Sequence, residues 1–480
     1  MTQAAALAAM AAALLLILSA GSGGRFVFAR DVAMAGMAMN ADASSGEAGE
    51  GGGLTVTLDG RLLPHPAAMN AELSELRVSV RDVAEALGLT YRWDAAGRRA
   101  WIGDVSTGAG ADAGTGRKTD GIAILLNGRE LPADTNPILA GNDVMAIGEA
   151  LARELGLSYH YDAGRHSVAL VTPQAVRQFD AEERQVRDVL NGKGMTPRIA
   201  EDGTKEFALT AELHDWSPLQ GIRIAAWTYN GQSPGPTIRV TEGDKVRIVF
   251  TNQLPEPSTI HWHGLHLPNA MDGVPGITQQ EVQPGQSFVY SFTASHPGTF
   301  MYHSHYDDMT QIGSGLYGAF IIDPKRQPPR APSSGELSDG MSFDHDYTML
   351  LSSFRVNSGP EDEPDFFAIN GRSYPDTPPL ELKRGETARI RFINIDTTEV
   401  HTMHLHGMDF QVIARNGHAV PAPETMNTVL IGPGESVDIA FRADAPGKWM
   451  LHCHILDHTM NGGSGASEMG GLMTVVNVTE

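Results

Sequence analysis

The chain has a single cysteine among 480 residues. Cys453 can therefore form no disulfide within the chain, and zinc sites built from several cysteines are excluded. Positive charge is also scarce, with 35 Lys and Arg against 57 Asp and Glu, a formal net charge of −22. Such a surface repels nucleic acid and anionic membranes and attracts cations. Long apolar runs are few. Ala4 to Ala20 has the length of a signal-peptide core and is short for a membrane span, although Met1 to Gln3 carry no Lys or Arg. Cleavage fits after Ala20 or after Ala29, in Val27-Phe28-Ala29. We expect residues 1–29 to be an export signal, with an uncleaved anchor as the alternative, and the protein to be secreted, cell-surface or periplasmic in a bacterium.

Glycine and proline are plentiful, 53 and 28, which argues for many turns and against an all-helical protein. Apolar residues at 41% and charged residues at 19% exclude a disordered chain. The length suits about three domains of ~100–200 residues. Residues 30–53 hold Ala, Gly, Ser, Met and acidic residues without periodicity, the composition of a flexible linker. Met34, Met37 and Met39 offer thioethers for Cu(I), but no other ligand type stands beside them, which favours a plain tether.

Residues 54–172 contain one unit written twice at an offset of 68. Asp59-Gly60-Arg61 matches Asn127-Gly128-Arg129, and Leu87-Gly88-Leu89 matches Leu155-Gly156-Leu157. The unit reads as a hairpin around Asp-Gly or Asn-Gly, a helix such as Val80 to Leu87 stopped by Gly88, and a strand through Tyr91 and Trp93. It resembles the stalk domain known as the copper amine oxidase N-terminal domain. Its histidines, His65, His160 and His166, have no paired spacing, so we expect a spacer or wall-facing module and no copper here. Residues 173–204 form a connector, helical from Ala175 to Leu190, with charge on most faces and a stop at Asn191-Gly192.

A second repeat has an offset of 149. Pro284-Gly285-Gln286-Ser287 through Met301-Tyr302-His303-Ser304-His305 aligns without a gap on Pro433-Gly434-Glu435-Ser436 through Met450-Leu451-His452-Cys453-His454. Upstream, the segments from Gly243 to Phe250 and from Gly385 to Phe392 both lead into His-x-His-Gly. Short alternating segments bounded by Pro-Gly turns predict two tandem β-sandwiches, residues 205–325 and 346–480, joined by a Pro-, Ser- and Gly-rich linker at 326–345.

Ten of the 18 histidines fall in or beside these repeats, in four clusters: His261 and His263; His303 and His305; His401, His404 and His406; His452, His454 and His458. Residues i and i+2 of a strand face one side, so each His-x-His aims two imidazoles at one point. Four such pairs supply eight ligands to a polynuclear, imidazole-rich site, and imidazole suits copper, zinc, iron and nickel. Cys453 lies between His452 and His454 and must face the opposite side of its strand. There His401 and His458 complete a cysteine-plus-two-histidine trigonal set, the blue-copper arrangement. One strand would serve two sites.

These motifs, His261-Trp262-His263-Gly264, His303-Ser304-His305, His401-x-x-His404-x-His406 and His452-Cys453-His454-x-x-x-His458, resemble the four copper motifs of the multicopper oxidases. With two sandwiches and the cysteine in the second, the resemblance is to the small two-domain laccases. It implies a mainly β fold, two tandem cupredoxin Greek-key sandwiches preceded by a small α+β repeat domain. It also implies four coppers per chain: type 1 on His401, Cys453 and His458, type 2 on His261 and His404, and a type 3 pair on His263, His303, His305, His406, His452 and His454. Asp272, in Met271-Asp272-Gly273, matches the carboxylate beside the type 2 site, where it would orient water and relay protons; the alternative is a turn residue before glycine.

The resemblance further implies one-electron oxidation of phenols, aromatic amines or metal ions such as Cu(I), Fe(II) or Mn(II), coupled to four-electron reduction of O2 to water. Electrons would arrive at whichever of His401 and His458 exposes a ring edge. It also implies a homotrimer in which the first sandwich of one subunit meets the second of its neighbour. Two features depart from the family. The segment Thr459 to Gly471 is long; counting back from the final strand puts Leu472 at the axial position of the type 1 copper, with Met473 and Met469 as rivals. Thr459 also stands where some relatives have an acid, with Asp457 or Glu468 as substitutes in the proton route. A copper nitrite reductase is the alternative enzyme, but its type 1 cysteine would occupy the place of Ser304. A simple electron carrier or copper store would have no need of the eight-histidine cluster.

Overall fold

The computed structural model describes residues 54–69, 76–103, 121–162, 167–355, 364–461 and 469–480. Export signal, linker, Met34, Met37, Met39, His166 and Glu468 lie outside these residues. The chain is mainly β.

In the stalk, Asp59-Gly60 turns the strand Thr55–Leu58 into Arg61–Leu62, and Asn127-Gly128 turns Ala123–Leu126 into Arg129–Glu130. The helices Val80–Ala86 and Gly148–Leu155 both end at glycines in the left-handed region, Gly88 and Gly156. The two copies exchange strands. Arg99–Ile102 of the first pairs in parallel with Ala123–Leu126 of the second, and Ser167–Val171 of the second pairs in parallel with Thr55–Leu58 of the first. Neither copy closes its sheet alone, which is why the unit occurs as a pair around one shared core of Val56, Val78, Val83, Ile124, Val144, Leu151 and Leu170.

The first sandwich faces two sheets. One is built on Lys205–Trp216, Lys245–Asn252 and Ser287–Thr293, the other on Gly235–Thr241, Tyr317–Asp323, Gly298–Ser304 and Ile260–His263. Their inner faces enclose Phe207, Ile248, Phe250, Tyr290, Trp262, Tyr302 and Phe320. In the second sandwich, a sheet through His345–Phe354, Thr387–Asn394 and Ser436–Arg442 packs on one ordered Leu380–Lys383, Met473–Thr479, Gly447–Cys453, His401–Leu405, Thr428–Ile431. Non-consecutive neighbours in both sheets are those of a Greek key.

The segment expected to be a charged connector is a helix, Pro173–Leu190, but it is not free. It buries Glu182, Val186, Val189 and Leu190. Val189 packs with Met301, Tyr317 and Ile321 of the first sandwich and Leu350, Ile393 and Ile395 of the second. Glu182 meets Arg372 at 3.1 Å, with both side chains almost wholly buried. The Arg372 guanidinium also lies 3.9 Å from the centre of the Phe179 ring and donates to the Ser217 and Phe179 carbonyls. The expected linker at 326–345 likewise packs: Ala331 and Leu337 are buried against Ile413 and Ala440. Both segments look solvated by composition because single apolar or charged residues, spaced too irregularly for a period, make the contacts.

Candidate metal centre

Strand register sets the histidines. His261 pairs with His303 and Trp262 with Tyr302, so Trp262 and Tyr302 enter the core while His261, His263, His303 and His305 share the other face. In the second sandwich His404 pairs with His452 and Met403 with Cys453. Met403 and Cys453 go inward, and His404, His406, His452 and His454 line the outer face. Each quartet is tight. Ring centres lie 5.4–5.7 Å apart from His261 to His263, His303 and His305, and 4.8–5.8 Å apart from His404 to His406, His452 and His454. The first quartet's face also carries Met301 and Thr299, which pack on Leu350 and Ile393 and bond Asp438. The second quartet opens into a cavity of about 290 Å³ lined by His404, His406, Asp409 and Asn427.

Four rings have their Nδ1 tied to a backbone carbonyl, that of Asp272 for His261, Ser304 for His303, Asn427 for His404 and Cys453 for His452, at 2.7–2.8 Å. Those bonds leave Nε2 of each ring as the lone-pair donor toward the quartet's centre. Burial, reinforced by the neighbouring imidazoles, pushes His263, His406 and His452 below the ordinary histidine range, and His303 down to about 3. Neutral imidazoles are what a cationic metal requires. Asp272 reaches His261 chiefly through its carbonyl, with its carboxylate 3.5 Å from the same ring nitrogen. Gly273 makes this approach feasible: at φ +84°, a Cβ there would lie 1.8 Å from the Ile260 carbonyl oxygen.

On the inner face, donor atoms of His401, Cys453 and His458 all lie within 4.8 Å of one another, with all three residues buried. The two Nδ1 atoms are 3.1 Å apart, and Cys453 Sγ is 3.5 Å from His458 Nδ1. Burial alone would raise the Cys453 thiol; His401, His458 and the Thr402 and Ile455 amides outweigh it and bring it down to about 5. Burial opposes the His401 imidazolium, yet Asp396 and Cys453 lift it to about 9. His401 turns Nε2 to Asp396 and is fully buried. His458 stacks on Phe367 at 4.0 Å and turns Nε2 toward Glu399 at 3.8 Å. Motif spacing missed Asp396 and Glu399, whose only signal was a pair of acids shortly before His401.

Leu472 joins the same core cluster as Cys453, and its carbonyl accepts from the Cys453 amide. Met473 registers on His452, which puts it on the face opposite Cys453, and Met469 is 45% exposed. Of the rivals for the axial position, Met473 thus faces away from the triad, while Leu472 packs beside Cys453. Asp457 is exposed and Thr459 is buried.

The first sandwich carries a polar counterpart of the triad. Ser304 stands at the Cys453 position and Ser258 at that of His401, and both donate to Gln311 Oε1. Three neutral groups that satisfy one another leave no thiolate and no imidazole there for a second set of the kind His401, Cys453 and His458 form.

Residues 210–327 and 349–468 match family models described as multicopper oxidase, and residues 57–170 match the copper amine oxidase N-terminal domain. The blue copper oxidase of Nitrosomonas europaea is 34% identical, with a TM-score of 0.52 over 57% of this chain and 85% of that one. The chain belongs to the multicopper oxidases. A second multicopper oxidase structure, mgLAC, is 35% identical with a TM-score of 0.51, over 57% of this chain and 86% of that one. Laccase-1 of Cryptococcus neoformans var. grubii is 31% identical over 48% of this chain. The chain spans about two fifths of the length of the curated relatives it matches, 40% for that laccase. Copper is the metal of the multicopper oxidases, and the donors present fit it: one low-pKa thiolate with two Nδ1 atoms, and two quartets of imidazoles.

Proposed function

We propose that the chain is a laccase-like oxidase, coupling one-electron oxidation of phenols and aromatic amines to four-electron reduction of O2 to water. The observation that carries this reading is the strand Gly447–Cys453, whose Cys453 faces the buried triad while His452 faces a quartet. Copper held by these residues would supply one-electron oxidation at the triad and oxygen reduction at the imidazole quartets. Cys453 is bonded through its own backbone to His452 and His454, so the chain provides a short covalent path between the two donor sets. Leu472, whose side chain beside Cys453 has no donor atom, would add no ligand to the copper that His401, Cys453 and His458 would hold, which favours a high potential.

His458 is the outward member of the triad, and its surroundings support an organic substrate. Val400, Leu456 and Met460, which flank His401 and His458 in sequence, are 42%, 61% and 39% exposed. A flat apolar ring would rest on them while its hydroxyl or amine gives a proton to Glu399. Fe(II), Mn(II) or Cu(I) is the second reading, favoured by Glu399 and the net charge. O2 uptake with a substituted phenol, repeated with Fe(II) and Mn(II), tests the order; far greater efficiency with either ion reverses it. Nitrite reduction is disfavoured by the Ser258, Ser304 and Gln311 set in the first sandwich.

The two quartet faces support a trimer. The first quartet's face packs on the sheet of the second sandwich that lacks histidine ligands, while the second quartet opens into its own cavity. A trimer in which each second quartet meets the first quartet of a neighbour joins eight imidazoles per cluster, and such head-to-tail contacts close a ring. Sedimentation of the copper-loaded chain should give a trimer, with activity falling on dilution. A fully active monomer would refute the shared cluster. Export, and contact of the stalk with the cell wall, belong to the same proposal.

A further inference from the structure

We infer that the stalk holds a divalent-cation site of the zinc class, built from His65, Asp82 and Asp143. The three come from separate elements: a loop after Arg61–Leu62, the first turn of the helix Val80–Ala86, and the start of the strand Asp143–Ile147. Their donor atoms all lie within 4.8 Å of one another, the same convergence that unites His401, Cys453 and His458.

The charge in this cluster is poorly balanced. Asp82 is 4% exposed, and the Asp143 side chain is 13% exposed. Asp143 Oδ2 is shut off from solvent and has no hydrogen-bond partner. The nearby guanidinium, Arg81, reaches only the other oxygen, at 3.9 Å. The Val144 amide serves Asp143 Oδ1 at 3.0 Å, but a carboxylate oxygen removed from water without a partner, as Asp143 Oδ2 is, is costly, and a bound cation supplies what is missing. The pair that would hold it is already arranged. His65 Nδ1 is 2.9 Å from Asp82 Oδ2, and the His65 amide donates to that same oxygen at 2.8 Å. Two donors on one tetrahedral ion with bonds of ~2.0–2.1 Å stand ~3.3 Å apart, so this pair, hydrogen-bonded at 2.9 Å, would open by only a few tenths of an ångström around an ion.

The repeat supplies the control. Leu63-Pro64-His65 corresponds to Leu131-Pro132-Ala133, and Arg81-Asp82 to Glu149-Ala150. The second copy forms the same helix and hairpin with alanine at both positions. The fold therefore does not require His65 and Asp82, and a ligand explains why one copy has them. One imidazole with two carboxylates is a borderline donor set, suited to Zn(II) and its neighbours rather than to Mg(II), which prefers oxygen alone. His65 is 56% exposed on its side chain, leaving an open outer position for water.

The test is equilibrium dialysis of the copper-loaded full chain against Zn(II), with metal analysis of the retained protein. Wild type should take up one zinc per chain beyond its copper. His65→Ala, at an exposed position, and Asp143→Asn should each weaken that uptake ~10-fold or more, with copper content and blue absorption unchanged. No stoichiometric zinc on wild type, or equal uptake by His65→Ala, overturns the site.

Discussion

His401 Nε2 lies 2.9 Å from Asp396 Oδ2, and Ser353 donates to the other oxygen of that carboxylate. The contact holds the ring with Nδ1 toward Cys453 and His458. Asp396→Asn removes the charge and blurs the tautomer preference, and changes of this kind typically cost 10–100-fold in metal affinity. We expect weaker type 1 copper and, with a negative charge gone, a higher reduction potential. Copper titration followed by the blue absorption measures the first, and redox titration the second. An unchanged potential and affinity would reduce Asp396 to a packing role.

Cys453→Ser separates the two donor sets. The hydroxyl is no substitute for a thiolate with a pKa near 5, so blue absorption and turnover should vanish. His452 and His454 keep their places in the strand, and most of the remaining copper should stay bound. A blue band that survives would show that the triad is not the type 1 site. Copper analysis beside the optical spectrum decides it.

The buried quartet rings predict a pH window for the metal-free protein. His303 falls to about 3 in the folded chain against ~6.5 when unfolded. Between these values the unfolded state binds the extra proton, so folding stability rises with pH across the window and is lost as pH falls through it. One such group contributes up to ~1.4 kcal/mol per pH unit there. Urea midpoints measured from pH 4 to 7 should slope upward without metal. His303→Gln should flatten the slope, and copper should shift the loss to lower pH because protons must then displace the metal.

The Glu182–Arg372 pair joins the interdomain helix to the second sandwich. Burial raises Glu182 and lowers Arg372 despite their mutual attraction, so both shifts say that desolvation outweighs the pairing. Arg372→Met should cost ~3–5 kcal/mol by stranding the Glu182 carboxylate. Adding Glu182→Leu should recover much of that loss. Denaturant midpoints of the two single variants and the double variant form the cycle, and simple additivity would deny the coupling.

The sequence by itself determined the alternation. A strand's period of two is local, so His-x-His pairs on one face and Cys453 on the other could be read before any contact was known, as could the helix stops at Gly88 and Gly156. The 68- and 149-residue offsets likewise revealed both duplications. Only the tertiary structure decided contacts between elements that no period links. Glu182 finds Arg372 from 190 residues away, Asp143 finds His65 and Asp82 across the stalk, and Asp396 finds His401 through a loop. Counting back from the final strand favours Leu472 over its apolar neighbour Met473, but only strand register decides between two adjacent residues. Pairing of Met473 with His452 turns it to the outer face and leaves Leu472 beside Cys453, because cross-strand register, a long-range property, sets which side chain points inward.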